Sequence, residues 1–119
     1  MKVLVIDDDP FTLDLIAAML NGKYIVSAST SAGDGLKLAK DNDADLILLN
    51  WLLPGKTGAE LLAELKSDSA AKDIPVIVIS GKVEPDFVED VIESGAAEFV
   101  QKPFSKNELV EKIRLALGS

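Results

Sequence analysis

The amino-acid sequence predicts an α/β fold built on one parallel sheet, and three observations support this prediction. Five short apolar, β-branched runs alternate along the chain with five amphipathic stretches, without a low-complexity linker between them. The apolar runs are continuous rather than alternating, which is typical of strands that are buried on both faces. The chain has 119 residues, of which 48% are hydrophobic, and this is enough for one domain and too little for two. We therefore expect a single domain over residues 1–119.

The first βα unit is predicted from an apolar run at residues 3–6 and from the turn signals that follow it. Asp9 is expected to cap a helix that has Pro10 at its first position, and Gly22 to end that helix in the left-handed conformation. The inward-facing stripe of this helix is predicted to contain Leu15, Ile16, Met19 and Leu20.

The second and third strands differ in how apolar they are. A weaker strand is predicted over residues 24–28, followed by a helix over residues 32–41. The run at residues 46–49 is the most apolar in the chain, so it should form the central strand.

The fourth and fifth strands are predicted over residues 76–79 and 98–100. Between them, a helix that begins near Pro85 should turn inward Val88, Val91 and Ile92.

Two capping boxes mark the start of the third and last helices. After a Pro-Gly loop at residues 54–55, Thr57 and Glu60 have the spacing in which each side chain bonds the other residue's backbone N–H. Ser105 and Glu108 repeat that spacing before the last helix. The inward residues are predicted to be Leu61, Leu62 and Leu65 in the third helix, and Leu109, Val110, Ile113 and Leu117 in the last.

Five consecutive βα units imply a doubly wound five-stranded parallel sheet with helices on both faces, because each crossover must be right-handed. The pattern fits the flavodoxin-like strand order 2-1-3-4-5. In such sheets, ligands bind outside the carboxyl ends of the strands, at the switch point between the first and third strands. This edge is therefore where we expect chemistry.

The composition excludes several classes of site. The chain has no cysteine and no histidine, which excludes disulfides, thiol catalysis, Ser-His-Asp triads and the usual ligands of zinc. A bound metal should therefore be a hard ion such as Mg²⁺, held by oxygen. The net charge of −8 predicts that the chain binds neither nucleic acid nor anionic membranes directly. Without a long apolar run or a signal peptide, we expect a cytoplasmic protein.

Polar side chains follow four of the five predicted strands. Asp7 and Asp8 come after the first strand, Asn50 after the third, Ser80 after the fourth and Lys102 after the fifth. Four separate segments thus deliver two carboxylates, an amide, a hydroxyl and an ammonium group to one crevice. The carboxylates suit Mg²⁺, and the hydroxyl and ammonium groups suit the negative oxygens of a phosphoryl group.

These residues lie in segments that together resemble the receiver domain of response regulators in two-component signalling, over essentially the whole chain. The segments are residues 5–9 (VIDDD), 45–55 (DLILLNWLLPG), 79–81 (ISG) and 102–104 (KPF). The resemblance implies that Asp8 binds Mg²⁺ directly and Asp7 chiefly through water. It adds the backbone carbonyl of Leu52 as a further ligand. The side-chain oxygen of Asn50 is one more oxygen that this chain offers at the same point.

The same resemblance assigns roles around the phosphoryl group and in signalling. Ser80 and Lys102 would bind the phosphoryl oxygens, and Ser80 and Phe99 would act as the switch residues. The Lys102–Pro103 bond is expected to be cis, as it usually is in receivers whose fifth strand ends in Lys-Pro. Purely structural roles stay open as alternatives. Lys102 would then be only a counter-charge to Asp7 and Asp8, and Phe99 only a half-buried packing residue.

The resemblance also implies partners and the absence of enzyme activity. A sensor histidine kinase or a phosphotransfer protein would supply phosphate. An output domain, a partner protein or a second copy of the chain would bind the surface of the fourth helix, fifth strand and last helix. The expected function is that of a conformational switch and protein-binding module.

One departure from the family pattern concerns the phosphoacceptor. Where the family has the aspartate that accepts phosphate, this chain has Asn50. A neutral amide is a poor nucleophile and cannot form an aspartyl phosphate, so we expect the chain to be phosphorylation-incompetent. The lost charge should also weaken Mg²⁺ binding.

Three explanations of Asn50 are open: an engineered block, a natural receiver that signals without phosphate, and an occasional source of Asp by deamidation. Asp7, Asp8, Ser80 and Lys102 are all retained, and we therefore favour an engineered or recent change. A remote alternative is a magnesium-dependent aspartate phosphatase of the haloacid dehalogenase type. Its first motif requires Thr or Val where this chain has Phe11, and the chain has no room for a substrate-capping domain.

Overall fold

A single parallel sheet runs through the middle of the protein. The computed structural model describes residues 1–41, 44–53, 55–81 and 85–118, so Pro54 of the predicted Pro-Gly loop lies outside the described residues. The strands in the described ranges are β1 Lys2–Ile6, β2 Ile25–Ser29, β3 Leu46–Asn50, β4 Val76–Ser80 and β5 Glu98–Gln101. The helices are α1 Pro10–Leu20, α2 Ala32–Lys40, α3 Gly58–Ser67, α4 Pro85–Glu93 and α5 Lys106–Ala116. The order β2-β1-β3-β4-β5 confirms the predicted topology.

The sheet separates two hydrophobic clusters because alternate residues of each strand point to opposite faces. On one face, Leu4 and Ile6 of β1 pack with buried residues of α2, α3 and α4. On the other face, Val3 and Val5 pack with buried residues of α1 and α5. Every residue of β3 and β4 is buried, which explains their continuous apolar sequences.

The register of the strands brings the ends of β1, β3, β4 and β5 to one edge. Ile6 pairs with Leu49, Asn50 with Ile79, and Ser80 with Gln101. Because all these strands are parallel, the residues at and just after their carboxyl ends meet at this edge.

Local capping follows the sequence closely. Asp9 caps α1 by accepting a hydrogen bond from Phe11 N at 3.1 Å, and Gly22 ends the turn after α1 with φ +82°. The capping box of Thr57 and Glu60 is complete. At the start of α5 the structure shows the first half of the second box, in which Ser105 Oγ accepts from Glu108 N at 3.1 Å.

The inward apolar faces of α1 and α4 are narrower than predicted. Leu15 is 40% exposed and Ile92 is 42% exposed, so the prediction that they face inward is wrong. Each helix instead turns inward a pair of residues four positions apart, the buried Ile16 and Leu20 in α1, and the half-buried Phe87 with the buried Val91 in α4. Leu15 and Ile92 each lie one residue from such a pair, and the 100° rotation per residue turns them to the flank of the helix.

Smaller differences concern element ends and helix length. β2 begins at Ile25 and ends at Ser29, one residue later than predicted at each end, and α2 ends at Lys40.

In the part of the chain that the structure describes, no helix is both long enough and apolar enough to cross a membrane.

The glycines of α2 provide a test of how tightly this helix packs on β1. A Cβ at position 35 would lie 2.6 Å from Ile6 Cδ1 and 2.8 Å from Ile6 Cγ1, whereas a Cβ at position 33 would meet nothing within 4 Å. We expect Gly35→Ala to destabilise the protein by about 1–2 kcal/mol through overpacking. Gly33→Ala should stabilise it by about 0.5–1 kcal/mol, because alanine favours the helix.

Urea denaturation of the two variants measures this difference. Adding Ile6→Val to Gly35→Ala removes the methyl group nearest to the new Cβ, so the pair should be less destabilised than the sum of the single changes. Equal stabilities for Gly33→Ala and Gly35→Ala would contradict the packing described here.

Candidate functional site

The structure brings the predicted polar residues together at the carboxyl edge of the sheet. Asp7 is 1% exposed and Asn50 8% exposed, and Ser80 is also buried. Asp8 is exposed beside them, and Lys102 is half-buried and reaches in from the end of β5. The crevice thus has a buried floor and an open side, which suits a small ligand that arrives from solvent.

The Asn50 side chain lies at the centre of this group and uses both ends of its amide. Its Nδ2 donates to the Leu52 carbonyl oxygen at 2.8 Å and lies 3.4 Å from Asp7 Oδ1 and 3.5 Å from Asp8 Oδ1. Its Oδ1 accepts from Lys102 Nζ at 3.1 Å. Since the amide nitrogen has two hydrogens for three acceptors, the two longer contacts share one hydrogen between the carboxylates.

The chemistry of the neighbours fixes the orientation of this amide. A carbonyl and two ionised carboxylates can only accept, and an ammonium group can only donate. Turning the amide by half a turn would set its oxygen against three acceptors and its nitrogen against a donor. The nitrogen of Asn50 therefore faces the acidic side of the site, and its oxygen faces Lys102.

Lys102 joins the end of β5 to the rest of the site. Its backbone N–H donates to the Ser80 carbonyl oxygen at 2.9 Å, and its Nζ lies 3.5 Å from Asp7 Oδ2. The Lys102–Pro103 bond is cis, as predicted. The ammonium group thus contacts both the amide of Asn50 and the carboxylate of Asp7.

Asp7 is a buried acid whose charge is only partly compensated. Burial raises the pKa of its carboxyl above the ordinary value, and the neighbouring charge of Asp8 acts in the same direction. The Asp9 backbone N–H, which donates to Asp7 Oδ1 at 2.9 Å, and the ammonium group of Lys102 oppose this rise in pKa. Ionised Asp7 therefore depends on these two partners.

The oxygens of Asp7, Asp8 and Leu52 converge on one point, which the Asn50 amide nitrogen occupies. Two carboxylates and a carbonyl are hard donors of the kind that Mg²⁺ prefers, so the donor chemistry fits this ion. Within the described ranges, no group of three or more His, Cys, Asp or Glu residues is placed to hold a metal. The oxygens that face this point come from two carboxylates and one backbone carbonyl.

An aromatic chain extends from the site towards α4 and β5. The rings of Trp51 and Phe87 meet edge to face with centroids 5.9 Å apart, and those of Phe87 and Phe99 with centroids 6.1 Å apart. Phe99 is half-buried against the cluster that includes α2, α3 and α4. Phe87 was not predicted from the sequence, although its spacing of four from Val91 is a signal of a shared inward face.

Gly58 is a second residue near the site that was not predicted from the sequence. Its N–H donates to the Trp51 carbonyl oxygen at 3.0 Å, and a Cβ at this position would lie 2.6 Å from that oxygen. Only glycine allows α3 to begin so close to the backbone that follows Asn50. This contact anchors one side of the segment that carries the Leu52 carbonyl.

The pairing of Lys102 with Asp7 and Asn50 predicts a stability effect that depends on pH. Lys102→Met removes an influence that lowers the pKa of Asp7, so that pKa should rise further in the folded protein. We expect a loss of about 1–2 kcal/mol at neutral pH, where Asp7 must ionise without the ammonium group. The loss should shrink as the pH falls through the raised pKa of folded Asp7, and it should vanish once the carboxyl is protonated in both the folded parent protein and the folded variant.

Lys112→Met is a matched control, because Lys112 pairs with Glu98 at 3.1 Å where both side chains are partly exposed. This variant should lose about 0–1 kcal/mol. Denaturation curves at a series of pH values measure both effects, and a pH-independent loss in Lys102→Met would contradict the described pairing.

Comparisons with known proteins agree with this fold. The chain is 35% identical over 116 residues to the phosphate regulon transcriptional regulatory protein PhoB of Pseudomonas aeruginosa, which covers 97% of this chain and 51% of that protein. It is 35% identical over 118 residues to the transcriptional regulatory protein HprR of Escherichia coli, which covers 98% of this chain and 52% of that protein. The chain thus spans about half the length of these relatives.

Solved structures share the same architecture. A putative response regulator from Chloroflexus aurantiacus superposes with a TM-score of 0.91 and 25% identity, covering 99% of this chain and 98% of that one. The receiver domain of the sensor histidine kinase PA1611 from Pseudomonas aeruginosa has a magnesium ion coordinated in its active site cleft. It superposes with a TM-score of 0.89 and 24% identity, covering 99% of this chain and 98% of that one, which shows the shared fold.

A family model matches nearly the whole chain. The model is that of the response regulator receiver domain, and the match extends over residues 3–114. It includes every strand and helix that contributes to the site described above, with only Lys2 of β1 and the last two residues of α5 outside it. The chain therefore belongs to the response regulator receiver domain family.

Proposed function

We propose that this chain, as a single receiver domain over residues 1–119, is a conformational switch and protein-binding module that cannot be phosphorylated. The observation that carries the proposal is the state of the Asn50 side chain. Its position at the end of β3 is the one from which the family's aspartate accepts phosphate. Here it carries an amide whose Oδ1 accepts from Lys102 and whose Nδ2 donates to Leu52.

The chemistry of this amide opposes phosphoryl transfer. Forming an acyl phosphate requires a carboxylate oxygen to attack phosphorus while the donor's leaving group departs. The Asn50 oxygen is neutral and the amide nitrogen shares its lone pair with the carbonyl group, so neither is an effective nucleophile. Ser80 does not replace it, because the chain has no histidine to act as its base.

Mg²⁺ is the cofactor that the site would hold, and we propose that it binds weakly. Asp7, Asp8 and the Leu52 carbonyl would supply the oxygens, with Asn50 Oδ1 as a further ligand if the amide turned. The magnesium ion in the PA1611 receiver domain supports this assignment. When bound, Mg²⁺ would supply positive charge to phosphoryl oxygens, together with Lys102 and Ser80. Two carboxylates instead of three reduce its affinity.

The switch and its partners follow from the family. In a competent receiver, a phosphoryl group would draw Ser80 towards the site and change the packing of Phe99 and the surface of α4, β5 and α5. With Asn50, that transition depends on its intrinsic equilibrium or on a partner. The proposed partners are a sensor histidine kinase or phosphotransfer protein, and an output domain, partner protein or second copy on that surface.

In the favoured proposal, Asn50 is an engineered or recent change in an otherwise competent receiver. The second candidate is a natural receiver that signals without phosphate. The hydrogen bonds of Asn50 favour it, because both ends of the amide are satisfied and the site is complete with asparagine. The two candidates differ in how well an aspartate at position 50 would function.

Phosphoryl labelling tests the central proposal. Incubated with Mg²⁺ and acetyl phosphate, the Asn50 protein should gain no phosphoryl mass, whereas Asn50→Asp should gain one phosphoryl group. The restored carboxylate displaces acetate from phosphorus, with Lys102 neutralising the charge on the phosphoryl oxygens. Intact-protein mass spectrometry measures the gain, and the product should be acid-stable and base-labile, as acyl phosphates are.

The labelling outcomes separate the candidates. Labelling of the Asn50 protein would indicate another acceptor or deamidated material, which peptide mapping distinguishes. If Asn50→Asp fails to label, the rest of the site has lost its competence and the phosphate-independent receiver is the better reading. Asn107→Asp, which makes the same change on the exposed first turn of α5, is the matched control and should not label.

Trp51 fluorescence tests the proposed metal site. Trp51 directly follows Asn50, so Mg²⁺ bound beside it should quench or shift its emission at high concentration. Asp8→Ala should abolish this response, and Asn50→Asp should strengthen binding by about tenfold or more. An identical response in the Asn50 protein and in Asp8→Ala would overturn the assignment.

A further inference from the structure

We propose that the Asn50 amide is an internal substitute for the divalent cation, so that Mg²⁺ must displace it in order to bind. The inference rests on the proposed function in one respect: it takes the oxygens of Asp7, Asp8 and Leu52 as the Mg²⁺ ligands. It goes further by assigning the weak binding to competition by Asn50 itself, in addition to the missing charge.

The geometry around Asn50 Nδ2 supports this assignment. The three oxygens that would face a cation face this nitrogen instead, the Leu52 carbonyl at 2.8 Å and the carboxylates at 3.4 and 3.5 Å. The partial positive charge of the N–H groups lies where the ionic charge would lie. Among the described residues, every buried side-chain nitrogen and oxygen has a hydrogen-bond partner. The buried polar side-chain atoms of the site therefore all have partners within the protein.

The opposite end of the amide adds to the cost of displacement. For its oxygen to ligate an ion beside Asp7 and Asp8, the amide must turn, because the oxygen now accepts from Lys102 at 3.1 Å. Turning it breaks that hydrogen bond and the one to Leu52, and it presents N–H donors to the ammonium group of Lys102. Asn50 is thus held by partners on both sides against the change that metal binding needs.

An aspartate at position 50 would reverse this arrangement. An oxygen in place of Nδ2 would face the Leu52 carbonyl at 2.8 Å and two carboxylates, without a hydrogen between them. Such a cluster of acceptors is repulsive until a cation enters. Asn50→Asp should therefore make the stability of the fold depend strongly on Mg²⁺, whereas the stability of the Asn50 protein should depend on it much less.

Asn50→Ala separates competition from loss of charge. If Asn50 only lacks a charge, removing its side chain removes one more potential ligand and should weaken Mg²⁺ binding further. If Asn50 competes with the ion, removing its side chain frees Asp7, Asp8 and the Leu52 carbonyl, and Mg²⁺ should bind more tightly. The two explanations thus predict opposite signs for the same variant.

The experiment measures thermal midpoints in EDTA and in saturating MgCl₂, together with Mg²⁺ titrations followed by Trp51 fluorescence. The proteins are the Asn50 protein, Asn50→Ala, Asn50→Asp, Asp8→Ala and the exposed control Asn107→Asp. We expect Asn50→Ala to bind Mg²⁺ about three- to tenfold more tightly than the Asn50 protein. Asn50→Asp should melt about 5–10 °C lower in EDTA and recover in MgCl₂. Asn107→Asp should show no Mg²⁺-dependent change.

The outcomes distinguish failure of the proposed competition by Asn50 from failure of the Mg²⁺ ligand assignment. If Asn50→Asp binds Mg²⁺ but Asn50→Ala binds it no more tightly than the Asn50 protein, the metal-ligand assignment stands. The proposal that the Asn50 amide competes with the ion is then wrong. If none of these proteins responds to Mg²⁺, the ligand assignment itself fails, and the inference fails with it. Should Asn50→Ala not fold, equal melting of Asn50→Asp and the Asn50 protein in EDTA would still overturn the inference.

Discussion

The burial of the Asp7 carboxylate at the end of β1 is the constraint around which the site is arranged. A charge held out of water must be paired, and its partners come from three directions. The Asp9 N–H supplies one hydrogen bond, Lys102 supplies the countercharge, and the Asn50 amide supplies a longer contact. The parallel register makes this possible, since it sets the ends of β1, β3 and β5 at the same edge of one sheet. The fold places the strand ends together, and the buried charge of Asp7 requires hydrogen-bond donors or a countercharge on the side chains that meet there.

Asn50 in place of an aspartate changes the electrostatic interactions of the site without changing its shape. Asparagine and aspartate are nearly the same size, so the neighbours of position 50 need not move to accept either. The difference lies in the sign of the interaction: the N–H groups attract the oxygens that a carboxylate would repel. A site that would otherwise require an ion becomes complete within the protein. The residues retained around it, including Ser80 and Lys102, therefore remain compatible with a stable resting state.

The sequence predicted the architecture well because the signals for it are local. Apolar runs, the Asp9 cap and the Thr57 capping box depend on neighbours within a few residues. The gathering of polar residues at one edge followed from topology alone. The orientation of the Asn50 amide could not be predicted, because it depends on Leu52 and Lys102 atoms that only the folded chain brings together. The close approach of Gly58 to Trp51 and the exposure of Leu15 likewise depend on how helices dock, which no periodicity encodes.

The distance along the chain between Lys102 and Asp7 bears on the order of folding. These residues are 95 positions apart, and the ammonium group reaches the carboxylate only when β5 has docked beside β4. Bringing segments this far apart together costs loop-closure entropy before any contact repays it. A partly folded chain, in which β1 and β3 have paired but β5 has not, would contain the buried acid without its countercharge. Completion of the site thus coincides with completion of the sheet, and a partner that recognises the finished crevice also selects fully folded molecules.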